Sequence, residues 1–159
     1  MHVREGVDPM IPEMSRTGAG LEAWTSGSIT QDDELHPCAV LLRYDADDPF
    51  VVTVTVSPDA VTRSRASSRW EISRDLLTAG LGGAVGIGAV SVLPGREPEK
   101  PAHVTIRVQE KGAATLIRLG HAALMTYLER SHALQPFGTE PTEMALDREL
   151  ARILGDGPA

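Results

Sequence analysis

The feature that most limits what this chain can fold into is an uncharged run of 18 residues, Leu76 to Leu93 (LLTAGLGGAVGIGAVSVL). An apolar run of this length is the usual signature of a membrane-spanning helix. Five of its residues are glycine (Gly80, Gly82, Gly83, Gly86, Gly88), and each disfavours a helix interior by roughly 0.8–1.0 kcal/mol relative to alanine. No aromatic belt lies inside the run and no stop-transfer cluster follows it. The glycines also fail GxGxxG in every register, and no GK[ST] follows. The helical turn precedes them, whereas a phosphate cradle needs a helix N-terminus after them. The wider stretch, Arg69 to Pro94, therefore reads as strand, short helix, glycine turn, strand. Trp70 to Ile72 form the first strand and Ile87 to Leu93 the second, with no membrane span. The glycines are expected to supply positive φ angles and close strand approach.

A chain of 159 residues with a single cysteine, Cys38, can bury a sizeable core but cannot form an internal disulfide. A cytosolic setting is favoured. Aromatic residues make up only 4% of the chain, so the core must come from Val, Leu, Ile and Ala. The formal net charge of −7 weighs against a dominant nucleic-acid role. Residues 1–22 mix Pro, Gly, Met and charges without periodicity and lack a signal-peptide pattern. They read as a flexible leader before one domain at 23–159.

Within that domain Trp24 to Thr30 is a candidate strand and Cys38 to Tyr44 a firmer one. Asp45 to Pro49 makes a turn. The next strand alternates, with Phe50, Val52, Val54 and Val56 on its apolar face. Gly95 to Pro101 is a loop. His103 to Gln109 alternates again, with Val104, Ile106 and Val108 inward, and Lys111-Gly112 turns into Ala114 to Leu119. Two helices follow. His121 to His132 carries Leu124, Met125 and Leu128 on one face. A second helix, capped by Thr142, carries Leu146, Leu150, Ile153 and Leu154. The fold class is α+β: antiparallel β-sheets with a short internal helix and C-terminal helices.

Catalytic and metal chemistry find no constellation here. Asp45, Asp47 and Asp48 start like a calcium loop, but Phe50 stands where the glycine is needed and Val56 where the bidentate glutamate is needed. The five histidines show no HxxxH or HExxH spacing, and no GxSxG occurs. Neither an enzyme activity nor a cofactor is expected. The one basic concentration is Arg63, Arg65, Arg69 and Arg74, with Trp70 among them. It reads either as a solvated loop and strand edge or as a docking site for an acidic protein partner. Single-stranded nucleic acid is the alternative ligand, with Trp70 as the one stacking platform.

The order of these segments is itself informative. LRYDADDPF (Leu42 to Phe50), W-x-I-x-RDLL-x-x-GL (Trp70 to Leu81), HVTIRV, YLERSHALQPFG (Tyr127 to Gly138) and LDRELARIL (Leu146 to Leu154) resemble the SsgA-like proteins of sporulating actinomycetes, from about Cys38 to Leu154. The resemblance implies a whirly-like fold assembled as a trimer and a non-enzymatic role in sporulation-specific cell division. It also implies protein partners at the septum, the tubulin-like division protein FtsZ or another SsgA-like protein. One departure stands out. Where the family continues past GL with a proline and an acidic segment, this chain has GGAVGIGAV (Gly82 to Val90).

Overall fold

The computed structural model describes residues 13–31, 33–58, 68–97 and 100–134. In chain order these residues form β1 (Glu13–Thr17), β2 (Gly20–Gln31), β3 (Glu34–Asp45), β4 (Asp48–Ser57) and β5 (Ser68–Ser73). Then come α1 (Arg74–Gly80), β6 (Val85–Ile87), β7 (Val90–Pro94), β8 (His103–Glu110), β9 (Ala113–Gly120) and α2 (His121–Leu134). Every strand pair is antiparallel, and the strands make one sheet in the order β5-β4-β3-β2-β9-β8-β7-β6.

β2 is the hinge of the sheet. One of its edges pairs with β3 along its whole length. The other is divided: Gly20–Trp24 pair with β1, and Gly27–Thr30 pair with β9. The close approach to β9 needs glycine at 27, since a β-carbon there would stand 2.7 Å from the Arg118 carbonyl oxygen.

α1 starts at an N-cap, where the Leu76 N–H donates to Ser73 Oγ at 3.1 Å and Asp75 lies in the first turn. The helix touches β4 and β5 near one end of the sheet and β6 and β7 at the other. The sheet must therefore curl until both ends meet the same short helix. At Gly80 the packing is tightest, because a β-carbon would overlap the Val92 side chain. α2 lies against β2, β8, β9 and α1. Inward residues of every long strand join both helices in one core: Leu42, Val54, Ile72, Leu77, Ile106, Leu119 and Leu124 are among its buried members.

The strands predicted at Cys38–Tyr44, His103–Gln109 and Ala114–Leu119 are present; the last two are slightly longer, and the first starts four residues earlier, at Glu34. Four expectations are corrected. The leader does not extend to residue 22, because Glu13–Thr17 and Gly20–Glu22 are paired strand. β1 is polar and mostly exposed, so it shows no alternation to read and is held by its backbone ladder. The strand expected at Ile87–Leu93 is two strands, because Gly88, at φ +61°, turns the chain between Ile87 and Val90.

Phe50 does not join the apolar face of β4 and is 48% exposed. Its strand leaves the β3 ladder between the Tyr44–Val52 and Asp45–Asp48 pairs. Pro49, which has no N–H to give, fills the buried position instead. On α2 Leu124 and Leu128 are buried as expected, whereas Met125 is half-buried and Tyr127 takes the buried place beside Leu128. The helix predicted from Thr142, with Leu146, Leu150, Ile153 and Leu154, lies outside the described residues. Among the described residues no helix is long and apolar enough to cross a membrane.

Candidate partner-binding surface

The strand register decides where the predicted site residues point. Arg69 stands opposite Thr55 and Trp70 opposite Val54. Val54 is fully buried, so Trp70 faces the inside of the curled sheet, half-buried and packed against the core. Arg69, one residue earlier, is exposed on the outside. Arg63 and Arg65 lie outside the described residues.

Arg74 is the clearest correction. It is 0% exposed and cannot present itself to a partner. As the first residue of α1 it shares an inward face with Leu77 and Gly80. Its Nη1 donates to the Ser131 carbonyl oxygen at 3.2 Å and lies 3.3 Å from Ser131 Oγ. Its guanidinium sits 4.7 Å from the centre of the Tyr44 ring. A cation placed against a carbonyl near the C-terminus of α2 is also favoured by the helix dipole. Arg74 thus ties α1 to α2 and to β3 from within.

Two further polar side chains act as internal ties. Tyr127 Oη donates to the Leu21 carbonyl oxygen at 2.8 Å, joining α2 to the start of β2. Desolvation, with smaller contributions from Glu22 and Tyr44, pushes its phenol well above the ordinary range. His121 Nε2 lies 2.8 Å from the Leu81 carbonyl oxygen, where an N–H on that nitrogen donates to the end of α1. Burial pushes the Cys38 thiol up to about 11. It stays protonated near neutral pH and packs as a small apolar group. At the β3–β4 turn Asp45 Oδ1 accepts the Asp47 N–H at 2.9 Å, a side-chain turn that uses one of the three aspartates. Among the described residues no group of three or more His, Cys, Asp or Glu could hold a metal ion.

The outer face of the sheet has two contrasting halves. Across β2 to β5 one row reads Glu22, Arg43, Thr53, Glu71. Arg43 Nε pairs with Glu22 Oε2 at 3.0 Å, and Arg69, Asp45 and Asp48 line a shallow groove of about 210 Å³ beside them. Charges of both signs neutralise one another there. On β8 and β9 the outward side chains are His103, Thr105, Arg107, Gln109, Ala114, Leu116 and Arg118, with no carboxylate among them. Arg107 and Arg118 lie on two strands separated by a turn, so their proximity shows only once those strands are paired. The Lys111-Gly112 turn was the available signal, since a two-residue hairpin fixes Arg118 opposite Thr105 and so one diagonal step from Arg107.

The architecture is that of an α+β domain built on one curled antiparallel sheet with two helices packed on its inner side. Residues 38–140 match the family described as Streptomyces sporulation and cell division protein, SsgA, and the chain belongs to that family. The sporulation-specific cell division protein SsgB of Streptomyces coelicolor is 34% identical over 128 residues, which span 80% of this chain and 90% of that one. An SsgA-like sporulation-specific cell division protein from Thermobifida fusca superposes with a TM-score of 0.70 at 25% identity, covering 89% of this chain and 100% of that one. A structure of Streptomyces coelicolor SsgB gives 0.61 at 26% identity, covering 79% and 97%.

Proposed function

We propose that this chain acts in sporulation-specific cell division as a non-enzymatic adaptor. In this reading it is a cytoplasmic trimer of whirly-like subunits that helps position or assemble septa by binding FtsZ or another SsgA-like protein. The observation that carries the reading is family membership across residues 38–140, joined to 34% identity over 90% of a protein named for sporulation-specific cell division. The chemistry of the described residues agrees in kind. Arg74, Tyr127 and His121 spend their polar groups holding elements together. The unspent charge lies on broad sheet faces, which suit docking of another macromolecule. The nucleic-acid alternative is weakened, because Trp70 points inward and away from Arg69.

The test is localisation of a fluorescently tagged copy in sporulating cells, with sedimentation of the purified chain to read its assembly. The tagged copy is expected to coincide with division rings, and the purified chain to sediment as a trimer. A copy that stays diffuse throughout septation removes the proposal.

A further inference from the structure

The outer face of β8 and β9 carries two exposed guanidinium groups, with the Glu97 carboxylate near one of them. Arg107 and Arg118 are both exposed, and neither makes an ion pair among the described residues. They occupy diagonal positions on adjacent strands, Arg107 opposite Leu116 and Arg118 opposite Thr105. Arg118 Nη2 lies 3.4 Å from His103 Nδ1, where the guanidinium donates and the imidazole nitrogen accepts. Glu97 is close enough to feel His103 and Arg118, but its carboxylate is held below the ordinary range first by the Ala102 N–H, which it accepts at 3.1 Å. Arg107 and Arg118 are diagonal neighbours of like charge within reach of each other's long side chains, and an acidic partner would offset their repulsion.

Beside Arg118 the surface opens into a cavity of about 470 Å³. Gly27, Gly120, Ala122 and Ala123 line it, so no long side chain fills it, and Arg118 and His103 stand among its walls. Two strands from Arg118, on β7, Leu93 is 36% exposed opposite Thr105, and Leu116 is half-buried opposite Arg107. A small-residue cavity beside an exposed guanidinium group fits one occupant in particular: a peptide segment that inserts an apolar side chain and lays carboxylates along the strands. A polyanionic nucleic acid fits less well. Among the described outward positions of β7, β8 and β9 there is no Phe, Tyr or Trp for base stacking, and His103 is the one aromatic ring there.

We infer that this face, centred on Arg107 and Arg118 and the adjoining cavity, binds an acidic peptide segment of a protein partner that carries apolar anchors. The inference deepens the adaptor reading and rests on it, by naming the surface and the chemistry of its partner.

The experiment is fluorescence anisotropy of a short labelled peptide of alternating glutamate and leucine, titrated with the purified full chain. Arg107→Glu/Arg118→Glu and Arg69→Glu are the variants, and circular dichroism confirms that each folds. The wild type is expected to bind, with affinity falling as salt rises. The double variant should bind roughly tenfold or more weakly, and Arg69→Glu within about twofold of wild type. A glutamate–serine peptide, which lacks the anchor, should bind more weakly than the glutamate–leucine one. Unchanged binding by the double variant overturns the proposal, as does equal weakening by Arg69→Glu. Tighter binding of an oligothymidylate of matched charge overturns it in favour of nucleic acid. A chain that reaches division rings but ignores the peptide keeps the adaptor role and loses this surface. A chain that binds the peptide but stays diffuse in cells keeps the surface and loses the role.

Discussion

Arg74 and Arg118 carry the same guanidinium into opposite surroundings. At the seam between the two helices Arg74 is sealed from solvent, bonded to Ser131 and stacked on Tyr44. On the outside of β9 Arg118 is exposed, within 3.4 Å of the His103 ring and close enough to Glu97 for the carboxylate to feel it. A buried charge held by hydrogen bonds and an aromatic ring holds the structure, and removing its hydrogen-bonding group leaves partners stranded. An exposed charge with only solvent-screened neighbours contributes little to stability and is free to serve recognition. The two regions therefore separate what folds the chain from what it can offer to others.

The largest effect should come from the seam. Arg74→Ala removes the tie to Ser131 and leaves space beneath Tyr44, and should destabilise by about 3–5 kcal/mol, read from chemical denaturation. Arg74→Met keeps much of the volume without the charge. A melting temperature near wild type for Met but not Ala would show that packing outweighs the hydrogen bonds there. Wild-type stability in the alanine variant would break the comparison outright.

Gly80→Ala comes next. The added methyl would press into Val92, so α1 must move off β7, at a cost of about 1–3 kcal/mol. Because this helix joins the two ends of the sheet, hydrogen exchange should rise first in β6 and β7. Uniform protection in those strands would show that the curl does not depend on this contact. Tyr127→Phe is subtler still. It deletes the bond to the Leu21 carbonyl oxygen while keeping the ring, and should cost about 1–2 kcal/mol in the same denaturation assay. A neutral result would mean that the Leu21 carbonyl finds another donor.

The same contrast explains what could be read from the sequence. Hairpins such as β8–β9 were legible because every second residue is apolar and Lys111-Gly112 marks the turn, with φ of +50° and +80°. β6 and β7 were merged because both lie inside one uncharged run, where period-two alternation has no polar face to contrast with. β1 was absorbed into the leader because its side chains are exposed and its stability comes from pairing with β2. For the site, the grouping of Arg63, Arg65, Arg69, Trp70 and Arg74 treated neighbours in sequence as neighbours in space. Alternation along β5 sends Arg69 and Trp70 to opposite faces. The helical period then places Arg74 with Leu77 on the buried side of α1. That period was available in the sequence. What it could not supply was the Ser131 carbonyl 57 residues away, whose place near the end of α2 makes burial of the charge tolerable.

The smallest stability effect should be at the outer face, and it sharpens the comparison most. Arg118→Gln keeps a polar, exposed side chain, removes one of two adjacent like charges and leaves the core untouched. Its stability should lie within about 0.5 kcal/mol of wild type, on the stabilising side if the repulsion from Arg107 is felt. Raising the salt concentration separates the cases, because screening relieves the wild type and not the variant, so any difference should shrink. A loss of more than 1 kcal/mol would mean that Arg118 is a structural group like Arg74, and the division between a folding seam and a free face would fail. A small or favourable change, together with weakened peptide binding, would mean that the chain carries this repulsion because a partner removes it.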